Sequence, residues 1–294
     1  MALFSRRSVL RLLGATAVGS FSLGSYAFAI EPRFRLVVTR YRLRPPRWPR
    51  LAKPLRMAVI ADVHACEPWM PLSRIEEIVE TANALKPDIT VLLGDYVAGL
   101  GHFKSANVPA GDWARVFGQL SAPLGKYAIL GNHDWWTNAG VVRRALEDNG
   151  VPVLENDARR IKAQNGTEFW LAGLGDQLAI PAGGGRFRGV HDLPRTLAQV
   201  SDPDTPAILL AHEPDIFPRV PERFGLTLSG HTHGGQVRLP GLGRPIVPSR
   251  YGQRYAYGHI VERNRHLIVS GGLGMSNLPV RFGVPPEVVL LELG

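Results

Sequence analysis

Apolar residues along this chain fall into short dense runs separated by amphipathic stretches, and the alternation predicts most of its elements. Phe34 to Tyr41 is β-branched and aromatic and reads as a strand, followed by a Pro/Arg-rich connector from Pro45 to Pro54. Met57 to Ala61 is a buried strand. Ser73 to Leu85 carries Ile75, Ile78, Val79 and Ala82 on one helical face, with Ser73 and Glu76 placed as a capping box. Ile89 to Leu93 is the next strand. A helix capped by Asp112 presents Trp113, Val116, Phe117 and Leu120. Tyr127 to Leu130 is a strand, and Asn138 caps a helix that Asn149-Gly150 ends. Beyond it the pattern turns to strands at Glu168–Ala172, Ala207–Leu210, Leu226–Leu228, Leu267–Val269 and Glu287–Leu291, with a short helix opened by Asp192. The front half is βαβαβα and the back half mostly β, which predicts one α/β domain.

The first thirty residues stand apart. Ser5-Arg6-Arg7-Ser8-Val9-Leu10 is a twin-arginine pattern before a Gly/Ala/Ser-rich apolar run, and Ala27-Phe28-Ala29 is a small-x-small cleavage pattern. Residues 1–29 therefore read as a twin-arginine export signal, residues 30–54 as an N-terminal strand and connector, and residues 55–294 as the main domain. The competing reading keeps Leu12 to Ile30 as a membrane anchor, since its length just suffices to span a bilayer. Export would place the chain in the periplasm or on the outer face of the cytoplasmic membrane or wall.

Composition adds two constraints. The net charge of +9 suits anionic substrates or a membrane or wall surface, with a local cluster between Arg40 and Arg50. No aromatic–basic ladder accompanies it, so specific nucleic-acid binding is not expected. A lone cysteine, Cys66, rules out an intrachain disulfide and reads as a loop or core residue.

The chemistry lies at the ends of the strands. Successive apolar runs are followed by Asp62-Val63-His64, Gly94-Asp95, Gly131-Asn132-His133-Asp134, His212-Glu213 and Gly230-His231-Thr232-His233. Five of the nine histidines sit at these positions, and the carboxyl edge of an α/β sheet is where ligands bind. Imidazole and carboxylate donors suit Zn, Mn or Fe. Competing motifs are absent: residue 216 is Ile, so no HExxH forms, and no P-loop, GxGxxG after the first strand, or GxSxG occurs.

Taken in order, these five segments resemble the calcineurin-like metallophosphoesterase superfamily over roughly residues 55–293. The stretches 230–240 and 279–287 are similar to its bacterial exported branch. The resemblance implies a four-layer α/β/β/α sandwich with a dinuclear metal site at the C-terminal ends of the strands. Asp95 would bridge two divalent ions, with Asp62, His64 and His233 on one and Asn132, His212 and His231 on the other. It further implies hydrolysis of a phosphodiester, phosphomonoester or lipid-linked pyrophosphate by a two-metal-activated hydroxide, on a substrate that is lipid- or nucleotide-linked. His133 is then left to face the substrate as a proton donor, and Asp134 is placed to hydrogen-bond His133 and set its tautomer. Trp69, His102, Phe103, Trp135 and Trp136 are candidate pocket residues, and Arg250, Tyr251 and Arg281 candidate phosphate or headgroup contacts. Thr232 should point away between two histidines that serve different ions. The alternative from another class is a non-catalytic metal-binding protein of the cell envelope.

Overall fold

The computed structural model describes residues 5–51, 53–100, 103, 105–163 and 166–294. Helix α1 (Arg6–Ser25) runs into a π-turn (Tyr26–Ile30) and a one-turn helix (Glu31–Phe34). Strand β1 (Val37–Leu43) begins later than its composition predicts because this helical path continues through Phe34. Then follow β2 (Leu55–Ile60), α2 (Leu72–Ala84), β3 (Ile89–Leu92), α3 (Ala110–Phe117), β4 (Lys126–Ala128) and α4 (Asn132–Asp148). The back half supplies β5 (Asp157–Lys162), β6 (Glu168–Gly173), α5 (Leu193–Ala198), β7 (Ala207–Leu210), β8 (Leu226–Ser229), β9 (Gly258–Glu262), β10 (Arg265–Val269) and β11 (Glu287–Leu293).

Two sheets result. The first has the order β1-β11-β2-β3-β4, with β2, β3 and β4 parallel and β11 antiparallel to β2. The second has the order β9-β10-β8-β7-β6-β5, parallel through its centre and antiparallel at both edges. The strand period of two sorts side chains between layers. Val289 and Leu291 join Met57, Val59, Val91, Phe169, Ile208, Leu210 and Leu228 in the core between the sheets. Leu290, Ile60 and Leu92 face the other way, onto Ile75, Ile78, Trp113, Phe117, Val142 and Leu146 of α2, α3 and α4. Leu209 and Ala172 pack outward on Leu193, Leu197, Ile216 and Phe224. The layers are therefore helix, sheet, sheet and helix, as expected. Both sheets are covered on both faces, which explains why their central strands are apolar runs without alternation. Cys66 is buried in the first core.

Three helix starts differ from the pattern. Helix α2 begins at Leu72 with Pro71 as its cap residue and no side-chain cap, so Ser73 already lies inside the helix and the capping box does not form. Helix α3 begins after Pro109, which leaves Asp112 in the first turn, where its charge still favours the helix N-terminus. Helix α4 starts at Asn132, six residues before Asn138. The backbone breaks at Asn138 (φ −169°, ψ 90°), and the Asn138 side chain accepts the Val141 N–H at 3.1 Å. Asn138 thus caps the second segment as predicted, but the strand-end Gly131-Asn132-His133-Asp134 is itself a helix start.

Candidate metal centre and pocket

The strand ends converge because backbone pairing continues past the strands. Asp62 N–H donates to Gly94 C=O (3.1 Å), His64 N–H to Asp95 C=O (2.9 Å), and Gly230 N–H to His212 C=O (3.0 Å). At these ends the chain turns sharply. Asp62, His64, Asp95, His231 and His233 all have φ between 48° and 68°, a left-handed conformation that side-chain-bearing residues rarely adopt. Five such residues at one sheet edge mark a place where conformation is held for a site rather than for local comfort. Two glycines make the crowding achievable. A Cβ on Gly131 would strike the Asp95 carboxylate and sit 2.7 Å from the His212 ring, and one on Gly230 would strike the Asp62 carboxylate.

Ligand-type atoms then gather in three overlapping groups. Those of Asp62, His64 and His233 lie within 4.8 Å of one another, as do those of Asp95, His212 and His231, and those of His64, Asp95 and His133. His64 Nε2 is 3.1 Å from His233 Nε2. Asp95 Oδ2 is 3.5 Å from His64 Nε2 and 3.3 Å from His212 Nε2, so it stands between the first two groups. Asn132 Oδ1 is 3.0 Å from His231 Nδ1. Backbone donors lock the carboxylates: His231 N–H reaches Asp62 Oδ1 (2.7 Å) and His133 N–H reaches Asp95 Oδ1 (2.9 Å). Thr232 points away as expected, donating its hydroxyl to Ala256 C=O at 2.8 Å.

The donor set fits cations. His64 and His212 hold their Nδ1 atoms against the carbonyls of Val97 (2.8 Å) and Leu93 (2.7 Å), which leaves each Nε2 lone pair aimed inward. His212 Nε2 and Asp62 Oδ2 are buried with no hydrogen-bond partner. Burial pushes the Asp62 carboxyl up to about 7, opposed by His212 and reinforced by Asp95. Burial lowers His64 to about 3 and holds His233 well below the ordinary imidazole range, so both remain neutral donors. Burial opposes charge on Asp95 and His212 as well, yet their mutual attraction keeps Asp95 ionised and His212 well above its usual value. Buried carboxylates with unfilled lone pairs beside neutral imidazoles form a site that demands positive charge.

Asp134 is arranged differently from expectation. Its carboxylate accepts N–H bonds from Asp95 (2.9 Å), Gly131 (2.9 Å), Tyr96 (2.9 Å) and Val97 (3.3 Å). With its oxygens taken by the backbone, it pins the β3 end to the start of α4 rather than orienting the His133 ring. His133 instead lies 3.3 Å from Ser276 Oγ through Nε2, packs edge-on against His64 and meets Trp136 at a tilt. Burial lowers its affinity for a proton, and Asp95 opposes that shift.

A cavity of about 430 Å³ opens over this floor, reaching Asp95, Asn132, His133, His231 and His233. Its walls are apolar: Trp136, Leu178, Val237, Ile246, Leu278 and Val280. Phe187 stacks on the outer face of Trp136 at 5.2 Å. Of the other predicted pocket residues, Trp69 lines a separate cleft with Arg33 and Phe34, Trp135 packs on the first core, Phe103 does not line this cavity, and His102 falls outside the described residues. The expected phosphate contacts lie elsewhere. Arg250 pairs with Asp215 (3.3 Å), and Tyr251 packs on Tyr255. Arg281 is fully buried. Its guanidinium bonds to the carbonyls of Gly271, Gly274 and Val284 and lies 3.4 Å from His233 Nδ1, so it backs the site instead of facing substrate. Trp136 stands in the cavity wall as predicted, while Ser276 and the rest of the apolar wall went unread in the sequence; the glycine-rich run Gly271-Gly272-Leu273-Gly274 before Ser276 is the signal that marked the loop.

Residues 55–235 match the family model described as calcineurin-like phosphoesterase. The chain is 31% identical to the uncharacterized metallophosphoesterase YkuE of Bacillus subtilis (strain 168), covering 98% of this chain and 97% of that one. It is 32% identical to the phosphodiesterase YaeI of Escherichia coli (strain K12), covering 99% and 100%. A transmembrane protein with metallophosphoesterase domain from Danio rerio is 29% identical over 81% of this chain and 53% of its own length.

Proposed function

This chain belongs to the calcineurin-like phosphoesterase family, and we propose that it hydrolyses a phosphodiester or pyrophosphate whose one substituent is apolar, as in a lipid-linked phosphoester. The observation that carries this reading is the junction of a cation-demanding floor with an apolar wall in one cavity. The name of the E. coli relative, a phosphodiesterase, supports a diester. In this reading Asp62, His64 and His233 would hold one divalent ion of the Zn, Mn or Fe type and Asn132, His212 and His231 a second, with Asp95 standing between the two groups. When bound, such ions supply Lewis acidity and bring the pKa of water from ~15.7 toward about 7.

The chain's own residues complete the chemistry. The Val97 and Leu93 carbonyls orient the rings of His64 and His212, so both turn Nε2 toward the centre without reorganisation. His133 faces the cavity and gives a proton to the departing oxygen, with Ser276 Oγ holding its Nε2 edge. Trp136 closes the wall beside it and excludes water from that proton. The Ser5-Arg6-Arg7 pattern supports export to the cell envelope by the twin-arginine route, where lipid-linked phosphoesters are met and where a basic surface suits anionic lipid or wall.

The test measures metal content and turnover together. The purified full chain should hold two divalent ions and cleave bis(p-nitrophenyl) phosphate. His231→Ala and His233→Ala should each lose one ion, and different ones when Zn and Mn are loaded in sequence. Two ions with no hydrolysis of a diester, monoester or pyrophosphate would replace this reading with a non-catalytic metal-binding envelope protein. Identical loss from both variants would overturn the division of ligands.

A further inference from the structure

The pocket wall and the N-terminal helix meet in one loop. Leu278 and Val280 line the cavity, and the next residues receive the N-terminal segment. Arg281 N–H donates to Ala27 C=O at 2.9 Å. Gly283 and Val284 N–H donate to the two oxygens of Glu31, at 3.0 and 2.7 Å. Tyr26 stands edge-on to Phe282 with ring centroids 6.2 Å apart. Ala27 and Glu31 are 8% and 1% exposed. A carboxylate buried to that degree and satisfied by two backbone donors is a built joint, since leaving those donors unpaired is costly. The joint also bears on the site: the same Arg281 whose backbone holds Ala27 braces His233 with its side chain.

Upstream of the joint the chain has a different character. Leu13 to Phe34 is helical and apolar enough to cross a bilayer, and its residues ahead of the joint are not buried in the protein. Leu13, Val18, Phe21 and Leu23 are all exposed. The part before the joint, Leu13–Ser25, reaches about 20 Å, and the preceding turns of α1 from Arg6 add ~10 Å, which together match a hydrocarbon core of ~30 Å and leave the docked turn at its outer boundary. The charges preceding it, Arg6, Arg7 and Arg11, are all basic, which orients such a span with its N-terminus in the cytoplasm and the domain outside. At the cavity mouth, Ile246 and Leu278 are 73% and 47% exposed, and Leu242, at the tip of the neighbouring turn, is 76% exposed. A concentration of bare aliphatic side chains beside a helix of this kind suits the acyl–headgroup boundary of a bilayer.

We propose that the N-terminal helix is retained as a membrane anchor, locked to the domain through Tyr26–Glu31, and that it holds the mouth of the pocket against the outer surface of the bilayer. Cleavage after Ala29, the site that the small-x-small pattern marks, would delete the Ala27 carbonyl and the Tyr26 ring from the joint. The residues around that bond are helical and docked rather than extended.

The test needs no turnover, so it stands or falls separately from the phosphoesterase reading. The full chain is expressed in a bacterium, and the membrane fraction is washed in alkaline carbonate and analysed by intact mass. Retention of residues 1–29 in the washed pellet is expected; a mature chain beginning at Ile30, or release by the wash, overturns the proposal. In a second measurement, Leu242→Cys carries a nitroxide in vesicles of phosphatidylglycerol and phosphatidylethanolamine, the native Cys66 being buried. Oxygen should relax the label several-fold more than a water-soluble nickel complex does; the reverse ratio places the mouth in water and overturns the orientation. Glu31→Ala should raise proteolysis between residues 26 and 36 about tenfold, and unchanged protection overturns the joint.

Discussion

The floor and the wall of the cavity are built by opposite means. The floor comes from short loops at the ends of central strands, with polar side chains held in left-handed backbone conformations at Asp62, His64, Asp95, His231 and His233. Apart from Trp136 on α4 and Leu178, the wall comes from loops 236–248 and 276–280, outside the central strands, with apolar side chains that are partly bare. Rigid placement is needed where charge must be aimed, because about 1 Å of misplacement at a reacting centre costs orders of magnitude. An apolar wall needs only area and shape, so it tolerates loops. Floor substitutions should therefore impair every substrate alike, and wall substitutions only substrates with an apolar group.

The largest effect belongs to the residue common to both ligand groups. Asp95→Asn keeps the shape but removes the charge that His64 and His212 both face. Loss of both ions by mass spectrometry, and a fall in kcat of about 10³-fold or more on any diester, are expected, since Lewis-acid stabilisation of several kcal/mol disappears. Retention of two ions would show that the groups do not share it.

His133 separates binding from chemistry within the floor. His133→Ala should keep both ions and reduce kcat by roughly 10²–10⁴-fold, the usual range for a positioned proton donor. The deficit should shrink on substrates with a p-nitrophenolate leaving group, which needs no proton. Loss of an ion would instead make His133 a ligand with His64 and Asp95, the third grouping its ring joins.

Asp134 tests whether the floor's scaffold is distinct from its chemistry. Four backbone N–H groups depend on this one carboxylate. Unsatisfied buried donors cost ~1–3 kcal/mol each, so Asp134→Ala should lose about 3 kcal/mol or more. At this chain length that corresponds to a fall in Tm of roughly 6–12 °C by calorimetry. Asp134→Asn, which still accepts from some of them, should recover part of it. A native Tm with a shifted pH–rate profile would restore the role of orienting His133.

The floor was legible in the sequence and, Trp136 apart, the wall was not, for a physical reason. Asp62, His64, Asp95, Asn132, His212, His231 and His233 each follow an apolar strand closely, and the parallel strands of two facing sheets bring those ends together. Arg281 misled because a basic residue in a loop reads as an anion contact, and nothing local showed that Gly271, Gly274 and Val284 would wrap its guanidinium. Asp134 misled because proximity to His133 in sequence hides that its carboxylate turns back toward β3. The wall residues Val237, Ile246, Leu278 and Val280 lie in segments without periodicity, where only tertiary contact decides which side faces the cavity. Helix α2 starts at Leu72 although Ser73 and Glu76 have cap spacing, because Pro71 already supplies the extended backbone of a helix entry.

The smallest effect tests the wall itself. Ile246 lines the cavity but is largely bare without substrate, so an apolar substituent gains by covering it. Truncation to Ala removes three carbons from a contact that is only partly enclosed. At ~25 cal/mol per Å² this amounts to about 1 kcal/mol, a KM rise of roughly fivefold for a long-chain phosphodiester. Bis(p-nitrophenyl) phosphate, too short to reach past Trp136, should keep its KM, and kcat should hold for both, because the contact is equal in ground and transition states. Equal KM changes on both substrates would mean that the wall shapes the floor. No change on either would put the apolar group outside this cavity, and with it the lipid-linked substrate.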